Sequence, residues 1–208
     1  MWGHLDRFAL EMDIINRCFS DLLTSDPIPP TSRLPFSKDE VKKVWAHREQ
    51  PWVDTVLILI YSGWRISELL NLKPEDIDLQ AGTMKGGTKT KAGKDRVVPI
   101  HSKIRPLVEA RLAEGGPRLI GYNGRACSQT QYRVFWADIM KALEMNHTPH
   151  ECRHTFETQL DSAGANRKCI DLLMGHVSKD TGNRVYNHKT LDELKAAVEL
   201  IGSRGSAW

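Results

Sequence analysis

What this sequence lacks narrows it first. Its four cysteines (Cys18, Cys127, Cys152 and Cys169) are scattered and form no C-x-x-C pair. That excludes a disulfide framework or zinc knuckle and suits a reducing interior. No apolar run approaches the ~20 residues needed to cross a bilayer, and Met1 opens no charged-then-apolar leader. No membrane association is expected, and the expected location is cytoplasmic. Internal repeats are absent, and the net charge is only +3. What is present is ordinary for a soluble globular protein: 40% apolar and 26% charged residues. The 208 residues suffice for one large domain, or one domain plus a fragment.

The charge is unevenly spread. Between Lys85 and Arg105 lie seven cations (Lys85, Lys89, Lys91, Lys94, Arg96, Lys103 and Arg105) against Asp95 alone, a local +6 that leaves −3 for the remainder. A basic patch on a near-neutral body suits a polyanion such as nucleic acid, and suits a solubilising loop equally well.

Apolar spacing predicts a helix over residues 4–23 (Leu5, Phe8, Met12, Ile15, Phe19, Leu22). Four prolines within Thr24–Pro35 predict an extended linker, so residues 1–23 read as the last helix of a truncated domain, 24–35 as linker and 36–202 as the main domain. Residues 203–208 read as a cloning scar. Ser37 with Glu40, Thr148 with Glu151 and Thr190 with Glu193 each carry the spacing of a capping box, and Asn166 caps a helix that Gly175 stops. Trp52–Tyr61 predicts a buried helix broken at Ser62-Gly63, and Ser128–Leu143 a helix with an aromatic stripe. Ile77–Leu79, Thr83-Met84 and Arg96–Ile100 are β-like, the last two flanking a T-K-T-K-A-G-K-D loop. The fold class is mainly α with a small antiparallel β-sheet (α+β).

Candidate chemistry gathers at helix boundaries. T-P-H-E-C-R-H-T-F puts His150 and Arg153 near one face of a first helical turn, where backbone N–H groups favour an anion. Arg65 follows a glycine at another helix start, with Glu68 three residues on to orient it. His150 and His154 have the spacing of half a zinc site, but no third ligand lies at suitable spacing, so no metal is expected.

W-R-I-S-E-L-L, the T-K-T hairpin, P-H-E-C-R-H-T-F, L-L-M-G-H and R-V-Y-N-H, in this order over roughly residues 36–200, resemble the catalytic domain of tyrosine recombinases, the phage-integrase family. The resemblance implies the fold of that domain and a site-specific integrase that cuts and rejoins double-stranded DNA. It implies Tyr186 as nucleophile making a 3′-phosphotyrosyl link, Lys89 as general acid and His150 as acceptor of the phenol proton. Arg65, Arg153 and His176 would hold the phosphate oxygens. Glu68 would support Arg65, His154 would bridge backbone near the site, and Lys85, Lys91, Lys94 and Arg96 would face DNA. Lys91 and Lys94 compete with Lys89 for the acid role. No cofactor is implied, because the phosphotyrosine conserves the bond energy for rejoining. A homo-oligomer on DNA is implied, docked through the apolar stripe of the C-terminal helix (Leu191, Leu194, Val198, Ile201). Two positions depart from the family pattern: Cys152 stands where leucine is common, and Trp64 replaces a small or aliphatic residue. With only one helix of the DNA clamp's other half, the chain is expected to bind DNA weakly. A type IB topoisomerase-like relaxing enzyme and a catalytically idle DNA-binding module are the competing readings.

Overall fold

The computed structural model describes residues 2–22, 34–87, 95–176 and 189–202. The chain divides into two compact units, Met1–Arg33 and Leu34–Trp208. Most of the expected 24–35 linker, and all of 203–208, lie outside the described residues.

In the first unit, helix α1 spans Trp2–Glu11, not the expected 4–23. Asp13 adopts a left-handed backbone (φ 54°), and the Ile14 N–H turns back to the Ala9 carbonyl at 2.9 Å, which ends the helix. A short 3₁₀ turn, Ser20–Leu22, follows, and the Asp6 carboxylate accepts the Ser20 N–H. Apolar spacing continued through the bend, but spacing alone does not carry hydrogen bonds past a left-handed residue.

The second unit is mainly α with a small antiparallel sheet, as expected. Its first helices are α2 (Lys38–Ala46), α3 (Val53–Ser62) and the short α4 (Ile66–Leu69). Strands β1 (Ile77–Asp78), β2 (Thr83–Gly86) and β3 (Arg96–Pro99) form an antiparallel sheet in chain order. Helix α5 (Arg105–Ala113) precedes a second ribbon, β4 (Gly121–Tyr122) with β5 (Arg125–Ala126). Helices α6 (Gln129–Ala142), α7 (Pro149–Ser162), α8 (Arg167–Met174) and α9 (Leu191–Glu199) complete it. The β4–β5 turn is Asn123-Gly124, both at positive φ (51° and 71°), the Asn-Gly signal for a tight hairpin. It was legible in the sequence and is absent from the expectations above.

Capping chemistry sets the helix starts. At Ser37 and Thr190 both halves of the box form, hydroxyl to N3 amide and N3 carboxylate to cap amide. At Thr148 the Glu151 carboxylate accepts the backbone N–H (3.1 Å) and the hydroxyl (3.2 Å).

Helix α3 is the core element. Every side chain from Val53 to Ser62 is buried except that of Asp54, and its principal partner is α7. Thr55 and Tyr132 share a hydroxyl–hydroxyl hydrogen bond of 2.9 Å inside this core, and the Phe36 N–H donates to Thr155 of α7 at 2.8 Å. Helix α9 packs on α8 and β3, burying Leu194, Ala197, Val198 and Ile201. Three of the four stripe residues expected to dock on a neighbour, Leu194, Val198 and Ile201, are therefore covered by the chain's own core, and Leu191 is half-buried. Among the described residues no helix is long and apolar enough to cross a membrane.

Candidate active site

The site begins where α3 stops. Gly63 closes the helix in a left-handed conformation (φ 64°), and a Cβ there would overlap the Phe156 ring, 2.8 Å from its Cε1. Glycine thus serves twice, for the turn and for the close approach of α7. Two residues later Arg65, extended at the start of α4, turns its side chain back along the helix. Its amide donates to one Glu68 oxygen at 3.1 Å and its guanidinium to the other at 2.9 Å. Glu68 is almost sealed from solvent, its side chain 1% exposed.

Arg153, on the second turn of α7, enters from the opposite side. It donates to the Gly63 carbonyl at 2.7 Å, to the Met174 carbonyl at the end of α8, and to His176 Nε2 at 3.4 Å. His176 lies just past Gly175, whose left-handed cap (φ 61°) reverses the chain, and its N–H returns to the Asp171 carbonyl at 2.9 Å. Two glycine turns, at the ends of α3 and α8, and the second turn of α7 therefore bring Arg65, Arg153 and His176 to one place.

The electrostatics are unbalanced. Burial pulls the Arg153 pKa down to about 9, aided by the positive charges of Arg65 and Arg96. Burial also lowers His176, followed by the neighbouring Arg153 charge. A neutral His176 accepts at Nε2 what Arg153 donates, leaving its ring proton on Nδ1. Among the described residues, three guanidinium groups gather about one sealed carboxylate, Glu68, with Glu157 acting only through space on Arg153 and His176. An anion bound here relieves that repulsion and completes the unmet hydrogen bonding.

Other expected residues fall as follows. His150, one turn before Arg153, is exposed, its ring edge-on to that of His154 at 4.8 Å. His154 does not bridge backbone through Nε2, which is buried without a hydrogen-bond partner among the described residues. Lys85 is exposed on β2. Arg96 corrects an expectation: its side chain is 4% exposed, set 3.0 Å from Glu68 and 4.1 Å over the Trp64 ring, so it cannot lie along DNA. Strand alternation explains it, since Arg96 shares the inner face of β3 with Val98. Lys89, Lys91, Lys94 and Tyr186 lie outside the described residues. Sequence reasoning missed His147, which bridges Glu40 (3.0 Å) and Glu151 (2.7 Å) while stacked on Phe36, tying the start of α2 to the start of α7. Its signal was its place immediately before the Thr148 cap.

Residues 36–193 match the profile of the phage integrase family. The chain belongs to that family. Within the phage integrase family, it is 30% identical over 190 residues to tyrosine recombinase XerA of Pyrococcus horikoshii, covering 86% of this chain and 65% of the relative. With tyrosine recombinase XerC of Pelobacter propionicus it shares 32% over 205 residues, covering 90% and 66%. The chain thus spans two thirds or less of the length of these curated relatives. Two solved structures share the phage integrase fold. The Tn1549 transposon integrase with circular intermediate DNA has a TM-score of 0.66 at 22% identity, covering 93% of this chain and 74% of that one. The XerA recombinase crystal structure has 0.63 at 23%, covering 98% and 84%.

Proposed function

We propose that the chain carries the catalytic part of a site-specific DNA recombinase or integrase, acting through a 3′-phosphotyrosyl intermediate. Residues 36–202 would be the catalytic domain, and residues 1–23, which hold α1 and a 3₁₀ turn, the end of a domain closing the other side of the DNA. The observation that supports this most is the meeting of Arg65, Arg153 and His176 around an excess of positive charge. Such a set fits the two non-bridging oxygens of a backbone phosphate, with the N–H groups that Arg65 and Arg153 do not give to Glu68 and the carbonyls left to donate.

In the reaction, the Tyr186 phenol passes its proton to His150 and its oxygen attacks phosphorus. The P–O5′ bond breaks, Lys89 protonates the departing 5′ oxygen, and the strand remains joined through its 3′ phosphate to tyrosine. Attack by a 5′ hydroxyl of another strand reverses each step and frees Tyr186. Arg65, Arg153 and His176 stabilise the charge on the equatorial oxygens, and Glu68 holds Arg65 in place. The roles of Lys89 and Tyr186 rest on the family motifs. Lys85, exposed on the hairpin, and Lys91 and Lys94 would follow the DNA backbone. The partner is double-stranded DNA inside the cell; the Tn1549 integrase, of like fold, was solved with DNA. Assembly on DNA through α9 belongs to the same proposal, and its buried stripe requires that any neighbour meet the helix's outer face or displace it from its own core.

The test is a nicked suicide substrate bearing the cognate ends, followed by denaturing electrophoresis. A covalent adduct lost in Tyr186→Phe is expected. Adduct formation with relaxation of supercoiled DNA by monomers, without strand exchange, would point to a topoisomerase-like enzyme. Salt-sensitive binding that never becomes covalent and is unchanged by Tyr186→Phe would leave only a DNA-binding module.

A further inference from the structure

Arg96 is a buried cation beside the site that the reaction just described does not use. It sits on the inner face of β3 opposite Gly86, and its guanidinium lies 4.1 Å over the Trp64 ring. The stack fits because residue 86 has no side chain. A Cβ there would stand 2.6 Å from Leu72 Cδ2 and 3.4 Å from Trp64 Cη2. From this seat Arg96 Nη2 approaches Glu68 Oε2 at 3.0 Å, while Glu68 Oε1 holds the Arg65 guanidinium at 2.9 Å. The side chains of Arg96 and Glu68 are only 4% and 1% exposed. Yet among the described residues none of Arg96's three nitrogens has an aligned hydrogen-bond acceptor, and Trp64 Nε1 has none either. A buried arginine with such poor hydrogen bonding is costly as a structural element. Stability by itself does not account for it.

We propose that Arg96, seated on Trp64, is a positioning residue for the active site: it anchors the far oxygen of Glu68 so that Glu68 aims Arg65 at the scissile phosphate, and it places a fixed positive charge beneath that phosphate without touching it. This rests on the recombinase reading above. It also gives a use to Trp64, which departs from the family pattern beside Arg65: the indole face replaces the solvent that a guanidinium so deeply buried would lose. Two carboxylate oxygens serve two arginines, one facing the substrate and one facing the core. Loosening the core arginine frees Glu68 to rotate, and Arg65 follows it.

The experiment has two readouts. Side-chain Nε–H spectra of ¹⁵N-arginine-labelled protein, assigned by substitution, report whether Arg65 is rigid. Single-turnover cleavage of the suicide substrate, with DNA affinity measured separately, reports the chemistry. Arg96→Met, which keeps apolar volume, is expected to broaden or shift the Arg65 resonance towards that of a mobile arginine. It should slow cleavage by about 10- to 100-fold while DNA affinity changes by less than about 3-fold. The double substitution Arg96→Met/Glu68→Gln should lose no more than the worse single one, because both act along one chain of contacts. Arg96→Lys, which keeps charge but not the planar stack, should recover part of the rate, and it replaces Arg96→Met in both readouts should that variant fail to fold. The idea is overturned by an Arg65 resonance unchanged in whichever variant folds, or by losses that simply multiply in the double variant. If the parent forms no adduct while Arg65 still loosens on substitution, the recombinase reading fails and the positioning contact stands.

Discussion

Two tryptophans in the second unit each carry an arginine on the ring, and the two arginines meet opposite electrostatic conditions. Arg111 lies over Trp52 at 4.8 Å and is gripped by both oxygens of Asp54 at 2.6 Å, with Glu114 at 3.2 Å. Burial works to lower its pKa, but the hydrogen bonds and charge of Asp54, then of Glu114, more than offset this and raise it. Arg96 lies over Trp64 and shares its one carboxylate with Arg65, so burial prevails and its pKa falls. Arg153 has no carboxylate in ion-pair contact among the described residues; burial lowers it to about 9, against the weaker pull of Glu68 and Glu157. One cluster is an arginine satisfied twice over; the other is an excess of cations held by carbonyls, a ring and a single acid. The first kind of site needs nothing more. The second carries an excess of positive charge that an anion would offset, which is the electrostatic difference between a brace and a candidate binding site.

The largest effect should come from breaking the satisfied cluster. Arg111→Met leaves the half-buried Asp54 carboxylate without its partner and is expected to cost about 3 kcal/mol in urea unfolding. Phosphate binding by the variant, where it folds, should not change. Next, Arg65→Ala or Arg153→Ala is expected to lower the single-turnover cleavage rate by about 100- to 1,000-fold. Arg65→Ala leaves Arg96 on Glu68 and should lose less unfolding free energy than Arg111→Met; if it loses more, the contrast drawn above is wrong. Smaller again is stabilisation by an anion. Inorganic phosphate at tenfold excess over its Kd should raise unfolding stability by about 1.4 kcal/mol in the parent, and by nothing in Arg65→Ala.

The smallest effect tests a buried histidine outside both clusters. His101 is 2% exposed, with Nε2 at 2.9 Å from the Ile201 carbonyl, and burial lowers its pKa below the ordinary 6.5. The folded state therefore resists a proton that the unfolded chain takes up. Stability is complete above about pH 6.5 and falls as the pH drops through that value towards the folded pKa. NMR titration should place the His101 midpoint below 6.5, and a midpoint at or above it would remove the effect.

Helix starts were the most legible feature, because a cap is a local hydrogen-bond pattern written in adjacent residues. Ser37, Thr148, Asn166 and Thr190 all begin helices where expected. Helix ends were read less well. Spacing ran on through Asp13, where the backbone reversed, and Asn123-Gly124 formed a ribbon that apolar patterning did not register. Within the site, the order of motifs named Arg65, Glu68, Arg153 and His176, and these do come together. Arg96 was assigned to the surface because a run of cations reads as a solvated edge; the inner face it shares with Val98 was the contrary signal.

Composition, capping and motif order alone determined the mainly helical class and the family, since each is written within a few consecutive positions. Only the tertiary structure decided which cation would be neutralised and which left in excess. That outcome depends on whether Asp54 or Glu68 lies across from a given arginine, and on how much water is excluded around the pair. Separation along the chain encodes neither.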